Sequence, residues 1–308
     1  MTTTQLRIGT RGSPLALAQT RQLRALLAAA LGLEAETLPI EVIRTTGDMI
    51  QDRPLSESGG KGLFTKELDV ALIEGRIDLA VHSSKDLPTH LPPEIAIAGY
   101  LPREDVRDAW IGRNGATLDA LPKGAVVGTA SLRRGAQVKR LRPDVSIVLL
   151  RGNVETRLRK VESGEVDGTL LALAGLKRLG LERHATAILP IEDFLPAAGQ
   201  GAIAVTKRAG DARVREALAA ILDPATAAAL AAERAFLTVL DGSCRTPIAA
   251  HAKLIGEEIE FHGMALRADG SAVYEARRRG PSMDAALIGD AAANEILLRL
   301  PNGVAGLT

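Results

Sequence analysis

Sulfur, aromatic side chains and long apolar runs are all scarce in this sequence of 308 residues. Its single cysteine, Cys244, excludes an intrachain disulfide and any zinc or iron–sulfur site built from several thiolates. Aromatic residues make up only 2% of the chain, which removes the stacking platforms that single-strand nucleic-acid binders use. Apolar runs such as residues 26–33 are much shorter than the roughly 18 residues that span a bilayer. The first residues lack the basic end and apolar core of a secretion signal, so we expect a cytoplasmic protein without a membrane partner.

The overall charge is also close to zero. Lysine and arginine number 38 against 37 aspartates and glutamates, and a net charge of +1 argues against a nucleic-acid partner. Between residues 133 and 160, however, nine basic side chains face only two acidic ones. A concentrated positive field inside a neutral protein predicts a compact polyanionic ligand rather than a long polymer.

The order of predicted elements indicates an α/β architecture. The length predicts two or three domains. Residues 6–9 read as a strand, after which Ser13 and Pro14 begin a helix that Gly32 ends. A helix at 63–74 and a strand at 77–81 follow, and the same alternation runs from about residue 125 to 179. Alternating strands and helices predict mostly parallel sheets, with ligands beyond the carboxyl ends of the strands.

The last third of the chain has a different pattern. Asp223 and Pro224 begin an alanine-rich helix, and a final helix is predicted at about 283–298. Between them lie three strands joined by short turns, at 248–254, 259–266 and 272–277. This pattern predicts a small α+β domain, and we expect its linker at 210–223.

Arginines occur where predicted strands give way to predicted helices. Arg133 and Arg134 fall in the first turn of a helix, and Arg151 directly follows a strand. Helix N-termini present free N–H groups and guanidinium groups bind carboxylates bidentately, so this placement predicts a ligand with several acidic groups. For Arg157 the sequence does not distinguish between a ligand contact and a position on a solvated helix face. A solvated helix face is favoured for Arg140, Arg142, Arg159 and Lys160.

Three other side chains could carry chemistry. Asp86 follows a predicted strand and could accept N–H groups, stabilise a cation or move a proton, although aspartate before Leu-Pro is also a common turn residue. His82 is favoured as a structural residue. Cys244 lies in a polar loop beside Arg245, which favours the nucleophilic thiolate. A cysteine hydrolase would need a paired base, which the nearby His251 does not by itself specify.

Nucleotide-binding motifs are absent from the sequence. The string Gly59-Gly60-Lys61-Gly62 lacks the glycine four residues earlier and the following serine or threonine of a phosphate loop. No Gly-x-Gly-x-x-Gly turn of a dinucleotide site occurs either. The remaining interpretation is a flexible loop that carries Lys61.

The sequence resembles the porphobilinogen deaminase family over essentially the whole chain. The resemblance rests on RIGTRGSPLAL from residue 7, GGKGLF from 59, AVHSSKDLP from 80, GTASLRR from 128, LRGN from 150, LAGLKRLG from 173, GQG from 199 and the Cys244 loop. Ser84 stands where bacterial members often have methionine, and Asp241-Gly242-Ser243 replaces a Gly-Gly pair before the cysteine.

The resemblance implies a fold of three domains. Two would be α/β domains similar to periplasmic binding proteins, with mostly parallel sheets, at 1–101 with 196–219 and at 102–195. The third, at 220–308, would be a small α+β domain with a three-stranded antiparallel sheet that holds the cysteine. We expect hinge segments near 99–103 and 194–200, because the product must lengthen within one site.

The resemblance also implies the chemistry. The family is a transferase of tetrapyrrole and heme biosynthesis, in which four porphobilinogen molecules are deaminated and joined head to tail and water releases hydroxymethylbilane. Cys244 would carry the dipyrromethane cofactor through a thioether, and Asp86 would be the catalytic carboxylate. Cofactor contacts are expected from Lys85, Asp86, Ser131, Arg133 and Arg134, and substrate contacts from Arg11, Ser13, Arg151, Arg157 and Arg178. Lys61 would lie in a loop over the cleft, no metal is implied, and a monomer is expected.

Two other classes of function account for part of the sequence. A non-catalytic, two-lobed anion-binding protein would account for the first two domains but has no need of Cys244 or Asp86. A cysteine-dependent hydrolase lacks the paired base.

Overall fold

The computed structural model describes residues 6–49, 62–240, 246–301 and 303–307. The chain divides into two compact units, the first formed by residues 1–50, 60–104 and 202–227, and the second by residues 51–59, 105–201 and 228–308. Within the described ranges, no helix is both long and apolar enough to cross a membrane.

The elements follow one another in an α/β order and end in an antiparallel meander. The strands are β1 (Ile8–Thr10), β2 (Ile40–Val42), β3 (Leu79–Ser83), β4 (Ile95–Tyr100), β5 (Asp108–Gly112), β6 (Val126–Gly128), β7 (Ser146–Val148), β8 (Gly168–Ala172), β9 (Ala187–Ile188), β10 (Ile203–Arg208), β11 (Ile248–Ile255), β12 (Glu258–Leu266) and β13 (Val273–Pro281). The helices are α1 (Pro14–Leu31), α2 (Thr46–Met49), α3 (Lys66–Ile73), α4 (Leu132–Leu141), α5 (Val154–Glu162), α6 (Leu173–Arg178), α7 (Ala212–Leu218), α8 (Pro224–Val239) and α9 (Ala285–Arg299).

Each unit contains a five-stranded sheet, and the two sheets share one pattern of strand directions. The first has the order β2-β1-β3-β10-β4 and the second the order β7-β6-β8-β5-β9. In each sheet the first three strands are parallel, and the fourth runs antiparallel to both of its neighbours. The second unit also holds the antiparallel sheet β11-β12-β13. The predicted fold class, two α/β sheets that are mostly parallel and a C-terminal three-stranded antiparallel sheet, is confirmed.

Apolar side chains cover both faces of each five-stranded sheet. Along β3, Leu79 and Val81 join the cluster under α1, whereas Ala80 joins the cluster under α3. In β5 the same alternation places Trp110 on one face and Ala109 and Ile111 on the other. Successive strand side chains point to opposite faces, so these short strands are apolar almost without interruption.

The segment 210–223 is not the linker that its composition predicts. It contains α7, which begins after Asp211, whose side chain accepts a hydrogen bond from the Val214 amide. Val214 and Leu218 are fully buried in the core of the first unit. The segment contains many alanines and charged residues, and its amphipathic helix has only seven residues, so the apolar pattern was too short to recognise in the sequence. The predicted domain limits at 101, 195 and 219 stay a prediction.

Candidate functional site

The first part of the site forms where β1 and β3 end. These strands are parallel neighbours, with Ile8 opposite Leu79, so the residues that follow them meet at the same edge of the sheet. Arg11 follows β1, and Asp86 lies in the single 3₁₀ turn that follows β3. Their side chains approach to 3.7 Å between Arg11 Nη1 and Asp86 Oδ2. The structure thus brings together two residues that are 75 positions apart.

A small cleft of about 50 Å³ opens at this edge of the first unit. Its lining includes Arg11, Ser13 and Asp86, which were predicted as site residues, together with Gln19 and Phe64. The Arg11 guanidinium lies over the Phe64 ring, 4.1 Å from its centroid, a cation–π geometry that restricts the arginine. Side chains are partly accessible here, with 18% of Arg11 and 34% of Asp86 exposed.

Ser13, a predicted substrate contact, also has a structural role in the first unit. Its Oγ accepts a hydrogen bond from the Ala16 amide at 3.3 Å and so caps α1, with Pro14 at the first helical position. The cap leaves the hydroxyl hydrogen available as a donor. Lys85 lies half-buried in the turn that also holds Asp86.

His82 is a neutral structural residue, as the sequence favours. Its ring is buried, and Nε2 lies 2.9 Å from Thr206 Oγ1 on β10. Burial, and secondarily the nearby Arg11, lowers the pKa of His82 to about 3. An imidazole with this pKa is a poor proton acceptor near neutral pH.

Gln19 is a cleft residue that the sequence reasoning missed. It is buried on α1, and its carboxamide lies within hydrogen-bond distance of Ser83 Oγ through Nε2 (2.9 Å) and Oε1 (3.1 Å). The available signal is a large polar residue next to the buried stripe of Leu23 and Leu27. A buried carboxamide needs hydrogen-bond partners, and here the end of β3 supplies them.

In the second unit, Arg133 and Arg134 occupy the first turn of α4, as predicted. Ser131 caps this helix by accepting a hydrogen bond from the Arg134 amide at 3.4 Å. Both guanidinium groups are buried, with 5% and 7% of the side chains exposed, and both are paired with Asp108. Burial lowers the pKa of Arg133, and the Asp108 carboxylate opposes that effect. Nothing in the sequence pattern singled out Asp108.

The remaining predicted arginines lie beside two glycine turns. Arg157 Nε donates to the carbonyl of Gly152 at 2.9 Å, within the turn that also carries Arg151. Gly152 has φ 116° and precedes the cap of α5, so this turn requires glycine. Arg178, at the end of α6, donates from Nη2 to the carbonyl of Gly201 at 2.8 Å. All three arginine side chains are half-buried.

Arg142 is not the solvated helix-face residue that was expected. Its guanidinium donates to the carbonyls of Leu118, Asp119 and Leu121 and pairs with Asp144 at 2.7 Å. It therefore fastens the loop before β6 to the end of α4. Arg140 approaches Glu275 at 3.7 Å, Lys160 pairs with Glu165 at 2.8 Å, and Arg159 donates to Thr156 at 3.4 Å.

Two predicted site residues, Cys244 and Lys61, and the departure at Ser243 lie outside the described residues. Within the part of the chain that is described, no group of three or more histidine, cysteine, aspartate or glutamate side chains could hold a metal ion.

The chain matches two family models over most of its length. Residues 6–216 match the model described as "Porphobilinogen deaminase, dipyromethane cofactor binding domain", and residues 227–298 match "Porphobilinogen deaminase, C-terminal domain". A YaeC-family lipoprotein of known structure from Enterococcus faecalis V583 aligns with a TM-score of 0.41 at 12% identity, covering 72% of this chain and 93% of its own, a likeness too weak to carry an argument.

Curated relatives agree with the family models. Porphobilinogen deaminase from Nitrobacter winogradskyi is 57% identical over 289 residues, which is 94% of this chain and 92% of the relative. The protein of the same name from Nitrobacter hamburgensis is 56% identical with the same coverage. The chain therefore belongs to the porphobilinogen deaminase family, and it is a hydroxymethylbilane synthase.

Proposed function

We propose that Asp86 is the catalytic carboxylate of this enzyme and that Arg11 and Ser13 bind the substrate beside it. The family's reaction joins four porphobilinogen molecules head to tail with loss of ammonia and releases hydroxymethylbilane by hydrolysis. The observation that carries the proposal is the approach of Arg11 and Asp86 to 3.7 Å at the lip of a cleft in the first unit.

Asp86 has the chemistry that the deamination needs. Ionised carboxylates only accept hydrogen bonds, so this side chain can accept the pyrrole N–H of a substrate. When the amine leaves, positive charge develops on the methylene-pyrrole, and a fixed carboxylate stabilises that charge. About one third of the Asp86 side chain is exposed, so a substrate can reach it.

Arg11 and Ser13 suit the acidic arms of porphobilinogen, which carries an acetate and a propionate. Guanidinium groups bind carboxylates bidentately, and the Phe64 ring beneath Arg11 limits the orientations of the fork. The Ser13 hydroxyl can donate while its oxygen caps α1. In the second unit we propose Arg151, Arg157 and Arg178 as further substrate contacts and Lys61 as part of a covering loop.

The residues present also fit the dipyrromethane cofactor of the family. Arg133 Nε is a buried donor that has no hydrogen-bond partner among the described residues. Cationic and hydroxyl donors suit a group with acidic arms, and we propose that Lys85, Ser131, Arg133 and Arg134 bind its carboxylates. Asp86 would accept its pyrrole N–H groups, and Cys244 would hold it through a thioether. When bound, the cofactor supplies the pyrrole to which the first substrate is joined.

Replacing Asp86 by asparagine tests the catalytic role. Asp86→Asn keeps the shape but removes the charge, so we expect turnover to fall by at least about 100-fold, as for removal of a key electrostatic group. The matched control is Asp144→Asn, because Asp144 is also about one third exposed and paired with an arginine. The control should keep normal turnover. Near-normal turnover of Asp86→Asn in a steady-state assay would show that the role is wrongly assigned.

We also propose that the enzyme works as a cytoplasmic monomer without nucleic-acid or membrane partners. Its net charge of +1 supports the absence of a nucleic-acid partner. Light scattering of the active enzyme at assay concentration should give a mass near 32.4 kDa. A stable dimer mass would contradict this part of the proposal.

A further inference from the structure

One fully buried carboxylate stands between the two arginines that we assign to the cofactor. Asp108 begins β5 and has no exposed side-chain surface. Its Oδ2 accepts from Arg133 Nη2 at 2.8 Å, and its Oδ1 accepts from Arg134 Nη2 at 2.6 Å and Nε at 3.1 Å. The two guanidinium groups are therefore oriented from opposite oxygens of a single side chain.

The charges in this cluster do not balance. Two guanidinium groups face one carboxylate, so the buried triad formed by Asp108, Arg133 and Arg134 carries one net positive charge. An uncompensated buried charge is costly, and a buried N–H without a partner adds to that cost. That N–H is Arg133 Nε, which has no hydrogen-bond partner among the described residues, while Arg133 Nη1 donates to the Leu195 carbonyl at 2.7 Å. The triad thus keeps one positive charge that Asp108 does not balance, and Asp108 sets the directions of its donors.

The turn at residues 199–201 braces the same carboxylate. Gln200 is fully buried, and its Nε2 donates to Asp108 Oδ1 at 3.0 Å and to the Val106 carbonyl at 2.8 Å. Gly199 and Gly201 flank it with φ of 74° and 86°, backbone conformations that side chains rarely adopt. The Gly-Gln-Gly string therefore serves to aim one carboxamide at Asp108.

We propose that Asp108 is a positioning residue of this enzyme: braced by Gln200, it orients Arg133 and Arg134 for the acidic arms of the cofactor. This inference rests on the proposed cofactor contacts of those arginines. Asp108 touches neither substrate nor cofactor in this proposal and acts only through the two guanidinium groups.

The chain contains a matched control for a purely structural role. Asp78 is also a buried carboxylate that binds several arginines, with Arg213 at 2.6 Å, Arg7 Nε at 3.2 Å and Arg208 at 3.3 Å. It lies before β3, and the residues that it binds have no proposed contact with substrate or cofactor. Loss of stability alone should therefore look alike at Asp78 and Asp108.

The test compares Asp108→Glu with Asp78→Glu. Each variant keeps the charge and adds one methylene, so each displaces its arginines without leaving them unpaired. For both, unfolding in urea, the fraction of chain that carries a covalent dipyrrole, and kcat and KM per modified chain are measured. We expect Asp108→Glu to lower kcat/KM by about 100-fold, the effect of a displacement of about 1 Å in a catalytic constellation, and Asp78→Glu to leave it unchanged.

A second variant covers the case in which Asp108→Glu does not fold. Gln200→Met removes the carboxamide brace but no charge, and we expect it to fold with a reduced modified fraction or a raised KM. Wild-type modification, kcat and KM in a folded Asp108→Glu, or in Gln200→Met if the former does not fold, would overturn the positioning role. An equal loss in Asp78→Glu would overturn it too. An unmodified wild-type chain would instead contradict the proposed function itself.

Discussion

Asp69 is a buried carboxylate outside the proposed chemistry that makes stability depend on pH. It lies on α3, and its Oδ1 has no hydrogen-bond partner among the described residues. Burial, together with the charge of Glu67, raises the pKa of Asp69 from 3.8 to about 6, although a hydrogen bond with Thr65 opposes the rise. The folded chain thus holds this proton more tightly than the unfolded chain does.

Asp69→Asn should therefore stabilise the protein above pH 6. Because the pKa of Asp69 is raised in the folded chain, its protonated side chain contributes fully to the free energy of unfolding below pH 3.8. That contribution is lost as the pH rises through about 6. The loss corresponds to about 3 kcal/mol at most. We expect urea unfolding to show the variant about 1–3 kcal/mol more stable at pH 8 and equal to the wild type at the acid limit. Equal stability of the two chains at pH 8 would contradict this expectation.

The positions of Arg133 and Arg134 in the first turn of α4 were predictable because they depend on local chain order. Arg133 and Arg134 follow a strand and a capping serine, and both features are visible in a few consecutive residues. Their partner Asp108 was not predictable, since it is 25 residues away and is brought to them only by the pairing of β5 with β8. The contact between Gln19 on α1 and Ser83 at the end of β3 was not predictable either, because the two residues are 64 positions apart.

At the level of elements, substitutions in α7 test whether the segment after β10 is a packed helix or a linker. Leu218→Ala removes a fully buried side chain from the core of the first unit, which should cost about 2–5 kcal/mol of unfolding free energy. Glu216→Ala, on the exposed side of the same helix, should change stability by about 0.5 kcal/mol or less. If the segment were a linker, urea unfolding would give equally small changes for both variants.

The helix α1, the strand β1 and the C-terminal meander were predictable, whereas the strands β2 and β9 were not. Ser13, Pro14 and Gly32 mark the ends of α1 in the sequence, and the structure has the same cap residues at both ends. By contrast, β2 has only three residues and β9 only two, too few for a periodic pattern to appear. Their pairing is determined by the neighbouring strands of the sheets.

The hinge segments expected near 99–103 and 194–200 stay a prediction. Within 194–200, Leu195 is held on both sides, since its amide donates to Gln137 Oε1 at 2.8 Å and its carbonyl accepts from Gln137 Nε2 at 3.0 Å. We therefore expect faster hydrogen exchange during turnover near 99–103 and 194–200, except at the Leu195 amide and at the Gly199 amide, which donates to the buried Glu233 carboxylate at 2.6 Å. Exchange in both segments as slow as in β3 and β8 would contradict the hinges.

For the whole molecule, the two five-stranded sheets share one pattern of strand directions, although their antiparallel fourth strands enter at different points of the chain. In each, three parallel strands are followed by an inserted antiparallel strand, β10 in one and β5 in the other. Several of the proposed ligand arginines follow strand ends: Arg11 follows β1 in the first unit, and Arg133, Arg134 and Arg151 follow β6 and β7 in the second. A chain with almost no net charge thereby carries local positive charge at strand ends within each unit.

Intact-protein mass spectrometry of the purified chain decides whether one sulfur anchors this chemistry. We expect the wild type to be heavier than its sequence by one dipyrrole, with the addition mapping to the peptide that contains Cys244. Cys244→Ser should have the unmodified mass and no activity. A wild-type chain of unmodified mass that still makes hydroxymethylbilane, or a fully active Cys244→Ser, would contradict the cofactor assignment.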